Sequence, residues 1–391
     1  MIALAAILGV FATLLMMPVM VLLIQVLMAL PTYRPRILPC SRPRVGILIP
    51  AHDEAAVIAE TLGSILPQCT EGDRVLVVAD NCFDETAAIA RKLHVEVVER
   101  DDPDHRGKGY ALDFGMQQLH DDPPDVVIMV DADCQVHPGT IERLARACVE
   151  TSRPIQALYL MRSAPCAKSK MHISEFAWVM RNHIRPLGNH RLGLPCQLMG
   201  AGMAFPWSAI NKVTLASGHI AEDMKLGVDL ALADYPAIFL PDALVTSHFP
   251  EKKMAEGEQR VRWEHGHLSV ILDEVPQMLL RALQERNLAV LGLAIDLMVP
   301  PLSLLALFFS VVLFASLMLF LSASIIWPLY LSLLSSGVFA MAVAMAWVGW
   351  GRTIVPFRQL LAIPFYMISR VPLYLRFMTD RQKAWIKTRR N

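Results

Sequence analysis

The stretch "VIMVDADCQV", residues 127–136, places two aspartates one residue apart directly after a run of apolar side chains. An apolar run rich in valine and isoleucine predicts a buried strand. If that strand continued, Asp131 and Asp133 would point to the same side, because side chains alternate along a strand. Two close carboxylates repel each other, so keeping both charged favours a nearby cation. An aspartate pair is also typical of an ordinary polar turn after a strand.

Similar apolar runs, separated by helical patterns, precede this one. They read "VGILIP" (45–50), "RVLVVAD" (74–80) and "VEVVER" (95–100), and "DVVIMVD" (125–131) completes the series. Alternating strands and helices predict an α/β fold with a mostly parallel sheet flanked by helices. Ligands of such sheets bind outside the carboxyl ends of the strands. The polar segments at these ends, "PAHDE", "DNCFDET" and "DADC", are therefore expected to line one cleft.

Two long apolar blocks indicate a membrane protein. Residues 2–30 carry no charge, and about 20 apolar residues suffice for a span. A signal peptide is disfavoured because the run is too long and no basic residue precedes it. In the second block we expect an interfacial helix at 288–298 and spans at 299–321 and 325–349. Arginines among the apolar residues of 353–378 favour a helix lying in the interface, and a fourth span is the alternative.

These blocks predict four parts of the chain. They are an N-terminal anchor (1–31), a domain (45–287), an interfacial helix with two spans (288–350), and an interfacial helix with a basic tail (351–391). Basic residues follow the first span and the last span: Arg34, Arg36, Arg42, Arg44, Arg352 and Arg358. Because basic flanks stay in the cytoplasm, we expect a multi-pass protein of the inner cell membrane whose domain faces the cytoplasm.

Composition excludes some classes of protein. Lys+Arg and Asp+Glu number 36 each, so no net basicity points to nucleic acid. Hydrophobic residues make up 54% and the mean hydropathy is +0.41, which is too apolar for a purely soluble enzyme. The seven cysteines show no C-x-x-C spacing. They are expected to be reduced thiols and not a disulfide framework or a zinc site.

Two further segments carry candidate site residues. In "RGKGYALDFG" (106–115), Lys108 lies in a glycine-flanked loop before a helix, where an ammonium and backbone N–H groups suit a diphosphate. In "GHIAEDMKLGVDL" (218–230), Glu222 and Asp223 begin a helix. The ordinary alternatives are a solvated lysine and acidic residues that favour a helix N-terminus.

A third segment, "EQRVRWEHG" (258–266), places Gln259, Arg262 and Trp263 on one face of a helix. A guanidinium can bind phosphate with two hydrogen bonds, and an indole face suits a sugar ring. A surface arginine beside a tryptophan that anchors the helix to the membrane is the alternative.

The ordered set "PAHDE", "DNCFDET", "GKGYAL", "DAD", "AED" and "QRVRW", followed by apolar helices, resembles the motifs of the inverting family 2 glycosyltransferases. That family includes bacterial cellulose synthase and the hyaluronan and chitin synthases, and ceramide glucosyltransferase is similar in its motifs. The resemblance covers roughly residues 45–270. It implies a nucleotide-sugar-binding glycosyltransferase fold and a hexosyltransferase that depends on Mg²⁺ or Mn²⁺.

The resemblance also implies roles for the matched residues. Asp223 would be the general base, and "MGAGMAF" (199–205) an acceptor-side loop. Asp133 would be the firmer metal ligand, with Asp131 beside the ribose or the metal. The leaving diphosphate and the acceptor end would be bound by Gln259, Arg262 and Trp263. The donor-binding and other substrate-binding residues would be His52, Glu54, Asp80, Lys108, Asp131 and Glu222.

Two positions depart from the family pattern. Ala221 stands where the T-E-D motif has its threonine, although the expected base follows unchanged. The second strand ends in "VADN", which leaves Asp80 as the one carboxylate where many members have two.

The resemblance implies transfer of a sugar from a nucleotide sugar to a membrane lipid or lipid-linked saccharide, with a β-linkage formed. We expect the donor to be UDP-linked. Such a reaction belongs to cell-envelope or exopolysaccharide synthesis. A processive polysaccharide synthase is the alternative, although few spans are countable for a product channel. A nucleotidyltransferase would need a glycine-rich loop where "PAHDE" stands. A non-catalytic membrane scaffold is the alternative from another class, but it would need polar residues along its spans, and Asp296 is expected at the interface.

Overall fold

The computed structural model of the protein describes residues 1–35, 39–164, 167–250 and 253–382, with the side chains of 253–256 excepted. Arg36, the basic tail after Gln382 and one of the seven cysteines, Cys166, lie outside the described residues. The chain divides into two compact units. The apolar-helix unit comprises Met1–Thr32, Pro165–Leu192 and Ala294–Arg381, and the sheet unit comprises Tyr33–Ala164, Gly193–Leu293 and Gln382–Asn391.

The strands, in chain order, are β1 (Val45–Ala51), β2 (Arg74–Asp80), β3 (Glu96–Arg100), β4 (Val126–Met129), β5 (Gln135–Val136), β6 (Ile155–Arg162), β7 (Met203–Pro206) and β8 (Ile238–His248). The helices are α1 (Ile2–Ala29), α2 (Ile58–Ile65), α3 (Thr86–Lys92), α4 (Lys108–Leu119), α5 (Thr140–Thr151), α6 (Ser169–Val179), α7 (Arg185–Arg191), α8 (Trp207–Ile210), α9 (Glu222–Leu232), α10 (Lys253–Asp273), α11 (Val275–Glu285), α12 (Leu288–Leu297), α13 (Leu302–Ala323), α14 (Trp327–Ala346), α15 (Ile363–Ile368) and α16 (Val371–Thr379).

The sheet unit is built on one mixed sheet, whose described strands lie in the order β3-β2-β1-β4-β7-β6-β8-β5. Strands β3, β2, β1 and β4 run parallel to one another. Strand β7 is antiparallel to both β4 and β6, β6 is parallel to β8, and β5 is antiparallel to β8. The predicted α/β fold with a mostly parallel sheet flanked by helices is therefore confirmed.

The four strands predicted from apolar runs are all present, and those in the centre of the sheet are the most deeply buried. Leu48 of β1, Val77 of β2 and Ile128 of β4 have almost no accessible surface. Parallel strands covered by helices on both faces need such continuous apolar runs. The described cysteines of this unit are free thiols at positions 40, 69, 82, 134, 148 and 196.

The apolar-helix unit contains segments that are long and apolar enough to cross a membrane. In the described residues there are four: Ile2–Ala29, Leu302–Ala323, Trp327–Gly351 and Phe357–Thr379. The first three agree in position with the predicted spans. The fourth is made of three short helices in succession, a 3₁₀-helix at Phe357–Ala362 followed by α15 and α16. The interfacial location of this fourth segment stays a prediction.

A buried polar cluster connects α1, α7 and α12 within the apolar-helix unit. Arg185 Nη2 and Asp296 Oδ1 form an ion pair of 2.8 Å, and the two residues are 4% and 3% exposed. Gln25 Nε2 donates to Asp296 Oδ1 at 2.7 Å and to Asn189 Oδ1 at 3.0 Å. Gly188 allows close approach here, because a Cβ on it would lie 2.2 Å from the main-chain oxygen of Gln25. Hydrogen bonds thus satisfy polar groups that would otherwise be costly to bury.

Candidate active site

Three neighbouring parallel strands bring polar residues to one edge of the sheet. His52 follows β1, Asp80 ends β2, and Asp131 and Asp133 follow β4. Because the strands are parallel, their carboxyl ends lie at the same edge. This is the edge at which the sequence predicts the cleft.

The aspartate pair lies in a turn and not in a continued strand. Strand β4 ends at Met129, and the Cys134 N–H donates to the Asp131 carbonyl oxygen at 3.1 Å. The condition for strand alternation, a strand that continues through both aspartates, is therefore not met. The turn nevertheless keeps ligand atoms of Asp131 and Asp133 within 4.8 Å of each other. Ser247 at the end of β8 donates its hydroxyl to Asp133 Oδ2 at 3.2 Å, a contact without any local sequence signal.

Lys108, at the first position of α4, joins the aspartate pair to the start of α9. Its Nζ lies 2.5 Å from Asp131 Oδ1 and 3.6 Å from Glu222 Oε1. The same ammonium donates to the main-chain oxygen of Gly200 at 2.7 Å. Three segments that are distant in the chain therefore meet at one amine.

Gly200 is packed among these charged groups. Its φ is +95°, a left-handed conformation that glycine adopts without steric cost. A Cβ placed on it would lie 3.3 Å from Asp223 Oδ2 and 3.8 Å from Asp131 Oδ2. Asp223 Oδ1 accepts the N–H of Met224 at 2.8 Å. The backbone at Gly200 is thus held against the carboxylates, within the loop for which an acceptor-side role is expected.

Burial and neighbouring charges shift the pKa values in this cluster. Burial opposes the charge of Lys108, but the carboxylates of Asp131 and Glu222 outweigh it, so the pKa of Lys108 is raised. Burial also raises the pKa of Asp131 and of Glu222, and Lys108 opposes both rises. Arg262 further opposes the rise at Glu222, whereas Asp223 adds to it. The arginine of α10 therefore acts electrostatically on the start of α9.

The donor set at the aspartate turn suits a hard divalent cation. Asp131 and Asp133 offer carboxylate oxygens, which Mg²⁺ and Mn²⁺ prefer. The adjacent thiol of Cys134 is buried, and burial raises its pKa well above the usual range. A thiol sulfur is also a soft donor, which these hard cations do not prefer. The two aspartates fit the predicted metal site.

A second group lies along the same sheet edge. The Nδ1–H of His52 donates to the Asp80 carbonyl oxygen at 2.6 Å, and the Glu54 N–H donates to Thr86 Oγ1 at 2.8 Å. Asp80 Oδ1 pairs with Arg100 Nη1 at 2.6 Å. Burial raises the pKa of Asp80 and Arg100 opposes that rise. Sequence reasoning missed Arg100, although its position at the end of β3 beside β2 could have indicated it.

The three α10 residues differ in their surroundings. Gln259 is buried, and its Oε1 lacks a hydrogen-bond partner among the residues that the structure describes. Arg262 and Trp263 are partly exposed. Through the effect of Arg262 on Glu222, this helix face is linked to the Lys108 cluster.

A cavity of about 200 Å³ adjoins Asp223 on the α9 side. Its lining combines the start of α4, the loop before α9 and one face of α9, and includes Gly109, Met203, Leu215, Ser217, Asp223 and Leu226. A small polar group can therefore be held beside the Asp223 carboxylate.

The chain is similar in sequence to two named proteins. The chain is 25% identical over 250 residues to the probable glycosyltransferase YdaM of Bacillus subtilis, covering 60% of this chain and 58% of that protein. It is 24% identical over 237 residues to the poly-β-1,6-N-acetyl-D-glucosamine synthase of Staphylococcus aureus, covering 58% and 55% respectively. The chain thus spans little more than half the length of these relatives.

Among solved structures, the mannosyltransferase PcManGT from Pyrobaculum calidifontis, in complex with GDP-Man and Mn²⁺, has a TM-score of 0.60 to this protein. The alignment covers 96% of this chain and 100% of that chain at 16% identity, which shows a shared fold. The profile of the family described as "Glycosyltransferase like family 2" matches residues 43–266. Because this match covers more than half of the chain, the protein belongs to glycosyltransferase family 2 and is a glycosyltransferase.

Proposed function

We propose that this protein transfers a sugar from a UDP-linked donor to a lipid or lipid-linked saccharide in the membrane, with inversion at the anomeric carbon and formation of a β-linkage. The observation that carries the proposal is the cluster in which Lys108 contacts Asp131 and Glu222, with Asp223 beside Gly200. In this cluster the Lys108 ammonium can bind a diphosphate, and the Asp223 carboxylate can accept the proton of an acceptor hydroxyl. Apolar helices long enough to cross a membrane support a membrane acceptor.

The reaction is one displacement. The acceptor oxygen forms a bond to the anomeric carbon while the bond to the diphosphate oxygen breaks, and Asp223 takes the acceptor proton. Lys108 and Arg262 offset the negative charge that develops on the leaving diphosphate, and such electrostatic stabilisation is commonly the largest catalytic effect. Attack from the face opposite the leaving group inverts the configuration. An α-linked donor therefore gives a β-linked product.

Asp133 and Asp131 would hold Mg²⁺ or Mn²⁺ at the turn after β4. A bound divalent cation supplies further positive charge for the leaving diphosphate. Ser247 supports this assignment because its hydrogen bond fixes one oxygen of Asp133. The PcManGT structure contains Mn²⁺ and a nucleotide sugar, which supports the same kind of site here.

The remaining site residues would surround the two substrates. His52, Glu54 and Asp80 would line the nucleoside pocket, where the contacts of Asp80 with Arg100 and of His52 with the Asp80 carbonyl hold them in place. Gln259 and Trp263 would bind the leaving diphosphate and the acceptor end. The cavity beside Asp223 would hold the acceptor hydroxyl and its neighbouring groups.

We place the sheet unit at the cytoplasmic face of the inner membrane. Basic residues follow two of the apolar segments, with Arg34, Arg42 and Arg44 after α1 and Arg352 and Arg358 after α14. Such residues are retained in the cytoplasm. Nucleotide sugars made in the cytoplasm would then reach the site directly.

A processive polysaccharide synthase is the second candidate, and the matches to proteins named poly-β-1,6-N-acetyl-D-glucosamine synthase favour it. Purified full-length protein should be incubated with radiolabelled UDP-glucose, UDP-N-acetylglucosamine or GDP-mannose, Mn²⁺ and a membrane lipid extract. Label that enters organic solvent supports single transfer to a lipid. Label retained as high-molecular-weight polymer supports the synthase. If the wild-type protein releases no nucleoside diphosphate with any donor, the proposed donor class is wrong.

A further inference from the structure

Helix α10 touches the residue just before α9 at an unusually close contact. A Cβ placed on Gly266 would lie 2.8 Å from the Cβ of Ala221, and 3.5 Å and 3.6 Å from its main-chain N and Cα. Non-bonded carbons rest about 3.5–4.0 Å apart. The methyl group of Ala221 therefore leaves no space for a side chain at position 266. Both residues are buried in the sheet unit.

Both residues of this contact lie close in the chain to residues of the candidate active site. Ala221 precedes Glu222 and Asp223 directly, at the N-cap position of α9. Gly266 lies one helical turn after Arg262, on the same side of α10, because residues four apart are neighbours on a helix surface. A displacement of one helix at this contact would move the arginine relative to the two carboxylates.

We propose that Ala221 and Gly266 are positioning residues for the transfer reaction. Their contact sets the separation between Arg262 on α10 and the carboxylates that begin α9. The inference rests on the proposed function and adds to it a packing contact that holds α10 at a fixed distance from the start of α9. A methyl group at position 266 would force the helices apart by roughly 0.7–1.2 Å, and a misplacement of about 1 Å can reduce a rate about 10²-fold.

The contact offers a reciprocal test. In the double variant Ala221→Gly/Gly266→Ala, the nearest atoms left at Ala221's position would be those at 3.5 Å and 3.6 Å, which is ordinary contact. Glycine is tolerated at an N-cap, and alanine has a higher helix propensity than glycine. A fall in kcat in either variant would therefore not result from a weakened helix. The matched control is Gly257→Ala in the same helix, because a Cβ there meets no atom within 4 Å among the residues that the structure describes.

The experiment uses the full-length protein in detergent micelles with saturating Mn²⁺. The readouts are kcat and the donor KM, from nucleoside diphosphate release with the best of UDP-glucose, UDP-N-acetylglucosamine and GDP-mannose, together with thermal stability. We expect Gly266→Ala to lower kcat about 10- to 100-fold with little change in the donor KM. The double variant should recover kcat to within about threefold of the wild type, and Gly257→Ala should match the wild type.

Several results would overturn the proposal. The first is a wild-type kcat in Gly266→Ala. The second is a folded double variant whose kcat is as low as that of the single variant. The third is a double variant that regains thermal stability but not kcat. If Gly266→Ala alone does not fold, the proposal is tested by the kcat of the folded double variant, and a kcat well below that of the wild type contradicts it. A wild-type protein that neither binds nor uses any of the three nucleotide sugars contradicts the proposed function itself, and this inference with it. That failure is recognised from the wild type alone.

Discussion

Lys108 Nζ lies 2.5 Å from Asp131 Oδ1 and 3.6 Å from Glu222 Oε1, so one amine neutralises carboxylates from two distant segments of the chain. Without it, the acidic groups of this part of the site would repel one another. The same amine donates to the Gly200 carbonyl, which fixes its direction. The lysine thus has both a structural role in the cluster and, in the proposed reaction, a role at the leaving diphosphate.

The first prediction concerns the charge of this lysine. Replacing Lys108 by methionine keeps an unbranched side chain and removes the ammonium. We expect kcat/KM for the nucleotide sugar to fall about 10²–10³-fold, the range found when one electrostatic stabiliser of a transition state is lost. The control is Lys92→Met at the exposed end of α3. Equal kcat/KM in the Lys108 variant and the wild type would exclude the lysine from the reaction.

The second prediction concerns the metal. We expect Asp133→Asn to weaken Mn²⁺-dependent binding of UDP strongly. Ser247→Ala, which removes the hydrogen bond to Asp133 Oδ2, should weaken it about 10-fold, since partners of metal ligands typically contribute 10- to 100-fold. Calorimetric titration of UDP at several Mn²⁺ concentrations measures both effects. Asp101→Asn, an exposed carboxylate, is the control. Binding that is unchanged in Asp133→Asn, or insensitive to EDTA in the wild type, would contradict the metal assignment.

The third prediction separates proton transfer from binding. Asp223→Asn retains the shape of the side chain and removes the base, so sugar transfer should fall about 10²–10⁴-fold. The affinity for UDP with Mn²⁺ should stay within about threefold, because this carboxylate is proposed to act on the acceptor. Asp234→Asn, at an exposed position two residues after α9, is a suitable control because asparagine tolerates the positive φ of that position. Full transfer activity in Asp223→Asn would remove Asp223 from the base role.

Local sequence predicted the elements of the site better than its contacts. The runs that became β1, β2, β3 and β4 are rich in valine and isoleucine, and these β-branched residues favour strands. Parallel topology then predicted that His52, Asp80 and Asp131 would share one sheet edge. The ordered motifs predicted the family, which the match over residues 43–266 confirms.

The contacts that complete the site come from tertiary packing. Ser247 reaches Asp133 because β5, which begins two residues after Asp133, pairs antiparallel with β8 and sets Gln135 opposite Thr246. No periodicity near residue 247 indicates a metal site. Gly200 meets the charged cluster through a loop before β7. The strand before the aspartates also ended two residues earlier than predicted, because a turn places Asp131 and Asp133 together. Strand register and loop conformation determine these contacts, and neither can be predicted from a short segment of sequence.

The fourth prediction concerns the buried ion pair of the apolar-helix unit. Asp296→Ala leaves Arg185 buried without its carboxylate, and breaking such a pair costs about 3–5 kcal/mol. We expect a large loss of thermal stability in lipid nanodiscs. The double variant Arg185→Met/Asp296→Leu removes both charges and should be more stable than Asp296→Ala, because no unpaired charge remains. A double variant as unstable as the single one would show that the ion pair itself, and not the unpaired arginine, decides the loss.

The fifth prediction tests the packing of α7 against α1, which the same polar cluster connects. A methyl group on Gly188 would lie 2.2 Å from the main-chain oxygen of Gln25 and 2.7 Å from its Cα. Backbone atoms cannot rotate away as a side chain does, so Gly188→Ala must separate the two helices and lengthen the hydrogen bonds of Gln25. Small residues permit this kind of approach between membrane helices. We expect Gly188→Ala to lower the thermal unfolding temperature in nanodiscs markedly. Gly337→Ala in α14 should leave it unchanged, because a Cβ there meets no atom within 4 Å in the described part of the chain. Equal unfolding temperatures for the two variants would mean that α1 and α7 do not depend on this contact.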